Sequence, residues 1–194
     1  MLEIINFLRK YRFFIISAIV IFGLVGIIEF NFGRSLLGPD GKFGLWDNNI
    51  WGSENSQRLA DVYSFSHIIH GIIFYVLLSL VARKLPLKYR FVGALLIEAL
   101  WEILENSPLI INRYREATIA LGYVGDSILN SICDIGMVII GFIIAKSYKA
   151  WVSIMLIIVL EIGCLFWVRD NLTLNVIMLV HPIEAIKIWQ SEGR

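Results

Sequence analysis

The chain has 194 residues, 58% hydrophobic and 17% charged, with a mean hydropathy of +0.74. That balance excludes an ordinary soluble domain, which must cover its surface with polar groups, and the long apolar runs fit membrane helices. A net charge of +1 removes the electrostatic case for nucleic-acid binding, and Cys133 and Cys164, both in apolar runs, argue against a disulfide framework.

In chain order, the first apolar run, residues 11–30, is too long for a signal-peptide core and lacks an A-x-A cleavage site, which predicts an uncleaved span. Residues 31–63 form a polar loop with a strong turn signal, Gly38-Pro39-Asp40-Gly41, and with Trp46 and Trp51 suited to a membrane interface. Four further spans follow at residues 64–82, 91–106, 126–145 and 151–168, each helical because a lone segment in lipid must satisfy its own backbone. The tail, residues 172–190, is apolar but interrupted by Pro182, which lacks an N–H. It reads as an outer re-entrant or interfacial helix, with a sixth span as the alternative. The expected fold is an all-α polytopic membrane helix bundle, a single membrane domain over residues 1–194, with no internal repeat or low-complexity tract.

Basic residues orient the bundle. Arg9, Lys10 and Arg12 precede the first span, Arg83, Lys84, Lys88 and Arg90 fill the second-to-third hairpin, and Lys146 and Lys149 fill the fourth-to-fifth. Positive-inside reasoning therefore puts the N-terminus and both hairpins in the cytoplasm. Residues 31–63, residues 107–125 and the tail lie outside.

Six acids sit inside or at the ends of these apolar runs: Glu98, Glu102, Glu105, Asp126, Asp134 and Glu161. At about 1.5 Å per residue, His70, Glu98, Asp134 and Glu161 all lie roughly 9–12 Å from the outer ends of their spans. Glu98, Glu102 and Glu105 form one helical stripe, Asp126, Asn130 and Asp134 a second, and His67 and His70 a third. Ionisable groups are costly in lipid, so these stripes are expected to face one another around a polar pocket open to the outer side.

So many carboxylates cannot all ionise together. Protonation, pairing with Arg113, Arg115 and Arg169 at the outer mouth, or a divalent metal on His67, His70, Glu98 and Asp134 could each compensate. His67 and His70 could equally be an acid/base pair or simply hydrogen-bonded to neighbouring acids. Asp126 could merely start a helix, and Glu161 could be a pocket partner or a protonated spectator. No HExxH sequence occurs, and a Ser131/His70/Asp134 triad has no nucleophile-elbow motif to support it.

Several blocks carry a resemblance: Ser66-His67-Ile-Ile-His70-Gly71, the segment from Glu98 through Trp101, Glu102 and Glu105 to Asn106-Ser-Pro108, Arg113-Tyr-Arg115-Glu116-Ala-Thr118, Gly125-Asp126-Ser-Ile-Leu-Asn130-Ser-Ile-Cys-Asp134, and Arg169-Asp170-Asn171-Leu-Thr-Leu-Asn175. Together they resemble a bacterial inner-membrane family, domain of unknown function 2585. Their order is also distantly similar to VanZ-like membrane proteins. The first resemblance implies multi-pass membrane location and no established activity. It also suggests a cysteine pair in the first outer loop, but residues 34–44 contain none, so no disulfide is carried over.

The leading functional expectation is a metal-dependent membrane enzyme acting at the outer leaflet on a lipid-linked or amphiphilic anionic substrate. His67, His70, Glu98, Glu102, Asp126 and Asp134 would bind metal or move protons, and Arg113, Arg115, Asn130 and Arg169 would hold the substrate. The alternatives are a non-catalytic assembly or interaction protein with a structural polar network, and an ion- or proton-coupled carrier. The lipid bilayer is the one partner expected in every case. Oligomeric state is left open.

Overall fold

A computed structural model describes residues 2–192 apart from 48, 53 and 121. Among the described residues eight helices follow one another: α1 (Leu2–Asn31), α2 (Ser64–Val81), α3 (Leu87–Glu105), α4 (Pro108–Ala117), α5 (Ile128–Ser147), α6 (Ala150–Val168), α7 (Leu172–Val180) and α8 (Glu184–Ser191). The described strand structure is one two-residue parallel bridge, β1 (Trp46–Asp47) with β2 (Ala60–Asp61), which closes the long loop before α2.

Four helices, α1, α2, α5 and α6, are long and apolar enough to cross a membrane. The lipid-like character of α6 is plain, since its most apolar window is only 11% buried. Ile154, Met155, Ile158, Val159 and Phe166 lie exposed along it, an apolar surface that water would not tolerate. Helix α3 has comparable length, 19 residues, but carries Lys88, Arg90 and three glutamates.

Contacts fix how the helices run. Ser64 of α2 meets Asp134 of α5, and Gly71 meets Val138 and Phe142, so these two are parallel. Helix α3 is antiparallel to them, with Glu98 beside His67 and Gly93 beside Leu78. Helix α1 runs with α3, from Phe14 against Phe91 to Glu29 against Asn106. Helix α6 ends near the start of α2, where Trp167 stacks on Trp46.

The bundle divides by level. Towards the basic hairpins it is filled by Ala18, Ile21, Val25, Phe91, Leu95, Ile135, Val138 and Phe142. The other half is filled by polar side chains, and loops and short helices cap it. Helix α4, within a segment expected to lie outside, begins with Pro108 after extended Ser107 and buries Ile111, Tyr114 and Ala117 along one face. Proline suits that first position because the N–H it lacks has no intrahelical partner there. The tail breaks between α7 and α8 around Pro182, leaving helices of nine and eight residues, about 12–14 Å long at 1.5 Å per residue, each too short to cross a bilayer.

Helices α2 and α5 touch backbone to backbone. A Cβ added at Gly71 would overlap the Val138 carbonyl, and one at Gly141 would overlap the Ile68 carbonyl. Small residues allow such an approach between membrane helices. Gly71→Ala is therefore expected to destabilise by about 1–3 kcal/mol or more, because the obstructing atoms are backbone. Gly163→Ala, with nothing within 4 Å, should be neutral or stabilise by up to about 1 kcal/mol. Thermal denaturation in detergent separates the two.

Candidate functional site: a buried histidine–carboxylate cluster

Helix α2 places His67 and His70 one turn apart on the face turned to α3. Nδ1 of both rings converges on Glu98: His67 on Oε1, and His70 at 3.1 Å from Oε2 and 3.2 Å from Oε1. The same His67 Nδ1 lies 3.4 Å from Glu102 Oε1, and its Nε2 lies 3.7 Å from Asp134 Oδ2. Glu98, Glu102 and Asp134 are almost fully inaccessible, at 0%, 0% and 3% exposure. Asp134 Oδ1 accepts from Ser64 Oγ at 2.7 Å.

One turn nearer the capped end, Asn106 is a hub. Its Nδ2 donates to Asp126 Oδ2 at 3.0 Å and Ser131 Oγ at 3.2 Å, and lies 3.4 Å from Glu29 Oε1. Its Oδ1 accepts from the Asp126 amide at 2.6 Å. Gly125 makes this possible: its φ is +89°, and a Cβ there would sit 2.9 Å from Asn106 Oδ1. Tyr123 donates its hydroxyl to Asp126 Oδ1 at 2.8 Å.

Three groups of donor atoms result, each within 4.8 Å: His67, His70 and Glu98; His67, Glu102 and Asp134; and Glu102, Glu105 and Asp126. Consecutive groups share one residue. They border a cavity of about 440 Å³ whose other walls include Phe74, Ile97, Leu100, Trp101 and Leu104. Asn130 also lines it, and its Nδ2 donates to the Arg58 carbonyl at 3.0 Å.

The sequence-derived stripes thus meet, with Glu105 half-buried at the cavity edge. Three expectations need correction. Glu161 stands apart and accepts from the Leu172 and Thr173 amides at 3.0 and 3.2 Å, holding the turn into α7. Arg113 donates to the Leu179 carbonyl at 2.8 Å, Arg115 to that of Tyr123 at 2.5 Å, and Arg169 to that of Trp189 at 2.9 Å. None of these arginines lines the cavity or pairs with the cluster, because each side chain is drawn to carbonyls at helix ends and in loops. Asp126 does not cap α5; Ser127 does, accepting from the Asn130 amide. Ser131 faces Asn106 rather than His70, in keeping with the lack of a nucleophile-elbow motif.

Three carboxylates were missed. Glu29 is fully buried beside Asn106, and its position inside the first apolar run was a readable signal. Asp61 accepts from the Ser56, Tyr63 and Ser64 amides, a loop arrangement that no sequence pattern announced. Asp170, in a block already singled out, accepts from Tyr63 Oη and Gln190 Nε2, both at 3.0 Å. Burial pushes the Asp61 and Asp170 carboxyls up to about 6, and the Asp126 charge adds to the effect at Asp61. Burial, then the Asp170 charge, holds the Tyr63 phenol well above its ordinary range.

The described residues are all-α, with four helices long and apolar enough to cross a membrane and a buried His/Glu/Asp cluster. More particularly, the chain belongs to the family described as protein of unknown function (DUF2585), whose family model matches residues 29–192. It is 47% identical to a UPF0314 protein of Sphingopyxis alaskensis over 92% of this chain and 95% of the relative. It is 45% identical to one from Agrobacterium fabrum over 94% and 92%, and 44% identical to one from Rhizobium johnstonii over 94% and 93%. No solved structure matches it. The VanZ-like resemblance rests on residue order alone.

The shift at Asp170 has a pH consequence. Its folded carboxyl titrates near 6 against an ordinary 3.8, so the folded state holds the proton more tightly. Its contribution is therefore greatest at low pH and is lost as pH rises through about 4 to 6. Asp170→Asn keeps the amide acceptor, and the Tyr63 hydroxyl can turn to accept. Its melting temperature should fall less than that of the parent across that window.

Proposed function

We propose that this chain is a five-span bacterial inner-membrane protein, N-terminus in the cytoplasm, whose histidine–carboxylate cluster binds a divalent metal and acts at the outer leaflet on a lipid-linked or amphiphilic substrate. One observation carries the reading. Seven carboxylates, Glu29, Asp61, Glu98, Glu102, Glu105, Asp126 and Asp134, share one region, while Arg34, His67 and His70 are the basic side chains beside them among the described residues. Two imidazoles and several carboxylates form a ligand set suited to a first-row divalent ion, which would supply the missing positive charge.

The five-span topology is supported by α3, whose 19 residues give about 28 Å of helix with the glutamates turned inward. The basic hairpins, all at the end remote from the cluster, support the orientation. The short α7 and α8 fit an interfacial or re-entrant tail better than a sixth span. Ile97, Leu100 and Leu104 both line the cavity and stand exposed on the bundle's outer surface. An amphiphile could enter sideways there and set its polar end against the cluster. With Arg113 and Arg115 engaged elsewhere, an anionic headgroup would meet the metal. A bound ion would polarise such a group or lower the pKa of a bound water, with the neighbouring carboxylates as bases. A carrier would need a wetted path past Leu95, Ile135, Val138 and Phe142, all buried and apolar, so the enzyme reading is favoured.

Elemental analysis of protein purified in detergent without chelator is expected to find at least one divalent ion per chain. His70→Ala should lose it at least tenfold more readily, and His181→Ala, remote from the cluster, should keep it. Chelation should lower the melting temperature by several degrees, and adding Mn²⁺ or Zn²⁺ should restore it. Metal-free protein, indifferent to added ions, would overturn the reading. Lipid extracts of cells overproducing the parent should differ from those with His70→Ala in one amphiphile class, and identical extracts would remove the enzymatic part.

A further inference from the structure

Glu102 is 0% exposed, and neither of its carboxylate oxygens has a hydrogen-bond partner. A bare buried carboxylate is costly, and neighbouring acids here have attracted partners: Asp134 has Ser64, and Asp126 has Tyr123 and Asn106. Glu102 joins the group it makes with His67 and Asp134 to the one it makes with Glu105 and Asp126.

We propose that the cluster holds two divalent cations, bridged by Glu102. This rests on the metal-binding reading above and adds a second ion to it. The first ion sits on His67, His70 and Glu98, and the second on Glu105 and Asp126. These two sets share no residue, so they can fill together. Glu102, whose Oε1 lies 3.4 Å from His67 Nδ1 and which shares a donor group with Glu105 and Asp126, would give one oxygen to each ion. Two dications supply four positive charges against Glu98, Glu102, Glu105, Asp126 and Asp134.

The two positions differ in chemistry. The first offers imidazole nitrogen and suits Zn²⁺, Fe²⁺ or Mn²⁺, whereas the second offers only oxygen and suits Mn²⁺ or Mg²⁺. The first ion is therefore held tightly and the second exchanges. Asp126 is already oriented for the second by Tyr123 and Asn106, as supporting hydrogen bonds orient ligands elsewhere.

The test is Mn²⁺ loading of chelator-stripped, detergent-purified full-length protein, read by elemental analysis and electron paramagnetic resonance. Two Mn²⁺ per chain with a spin-coupled signal are expected. Glu105→Gln, at the half-buried edge, should bind one, with an uncoupled signal and an unchanged elution profile. Glu102→Gln should lose the coupling. Should Glu105→Gln prove unstable, the parent's own stoichiometry and coupling decide. One uncoupled Mn²⁺ in the parent would overturn the pair while leaving the single-metal reading intact, and none would overturn both.

Discussion

The contact on which the rest depends is the backbone approach of α2 to α5 at Gly71 and Gly141. Two glycines on different helices each face the other helix's carbonyls, so the helix axes come closer than side chains would allow. That approach holds Ser64 within 2.7 Å of Asp134 and brings His67 Nε2 within 3.7 Å of the same carboxylate. Helix α3 then packs across both, and its glutamates can reach only into the gap they leave. The geometry of the cluster follows from a packing decision made a turn or two below it.

Above that contact, the bundle must solve a charge problem. Its apolar half is closed by interlocking aromatic and aliphatic groups, with Phe91 edge-on to Phe142. Its polar half is closed by loops, because Asp61, Asn106 and Asp126 come from chain ends of helices, where backbone amides are free to be accepted. Asp61 takes three such amides, and Asn106 takes that of Asp126. Helix-end amides thus stabilise the loop acids, while the mid-helix acids Glu98 and Glu102 have no free amides near them. Histidine answers for Glu98. Glu102 has His67 Nδ1 at 3.4 Å but, among the described residues, no hydrogen-bond partner.

This division explains what the sequence disclosed. The helices were legible from apolar length, and the three stripes from helical spacing, because an acid inside a lipid-facing run has few places to turn. His67, His70, Glu98, Glu102, Asp126 and Asp134 could be grouped without coordinates for that reason. Helix α3's first turn and helix α4 were less visible, since charged or short helices carry no span signal. Asp61 was invisible, as its burial comes from a loop folding back through a two-residue bridge. Glu29 was visible and passed over at the margin of its run. Glu161 shows the limit of depth arguments: it lies at a similar distance along its span but on a helix whose apolar surface is mostly exposed, and the α7 amides claim it.

The arginines carry the last step. Proximity in sequence suggested that Arg113, Arg115 and Arg169 would neutralise the acids, yet each is tied to a backbone carbonyl of the capping segments. Arg113 binds the end of α7, where carbonyls lack intrahelical partners and the helix dipole is negative, and a guanidinium satisfies both conditions at once. Placed in the cluster instead, the same cations would have filled the space between the stripes with immobile charge. Used as braces, they fasten α4, α7 and α8 over the bundle while leaving Glu102 and its neighbours short of positive charge. Arginines spent on the roof in this way leave the carboxylates beneath without the bidentate partners that a salt-bridged core would have.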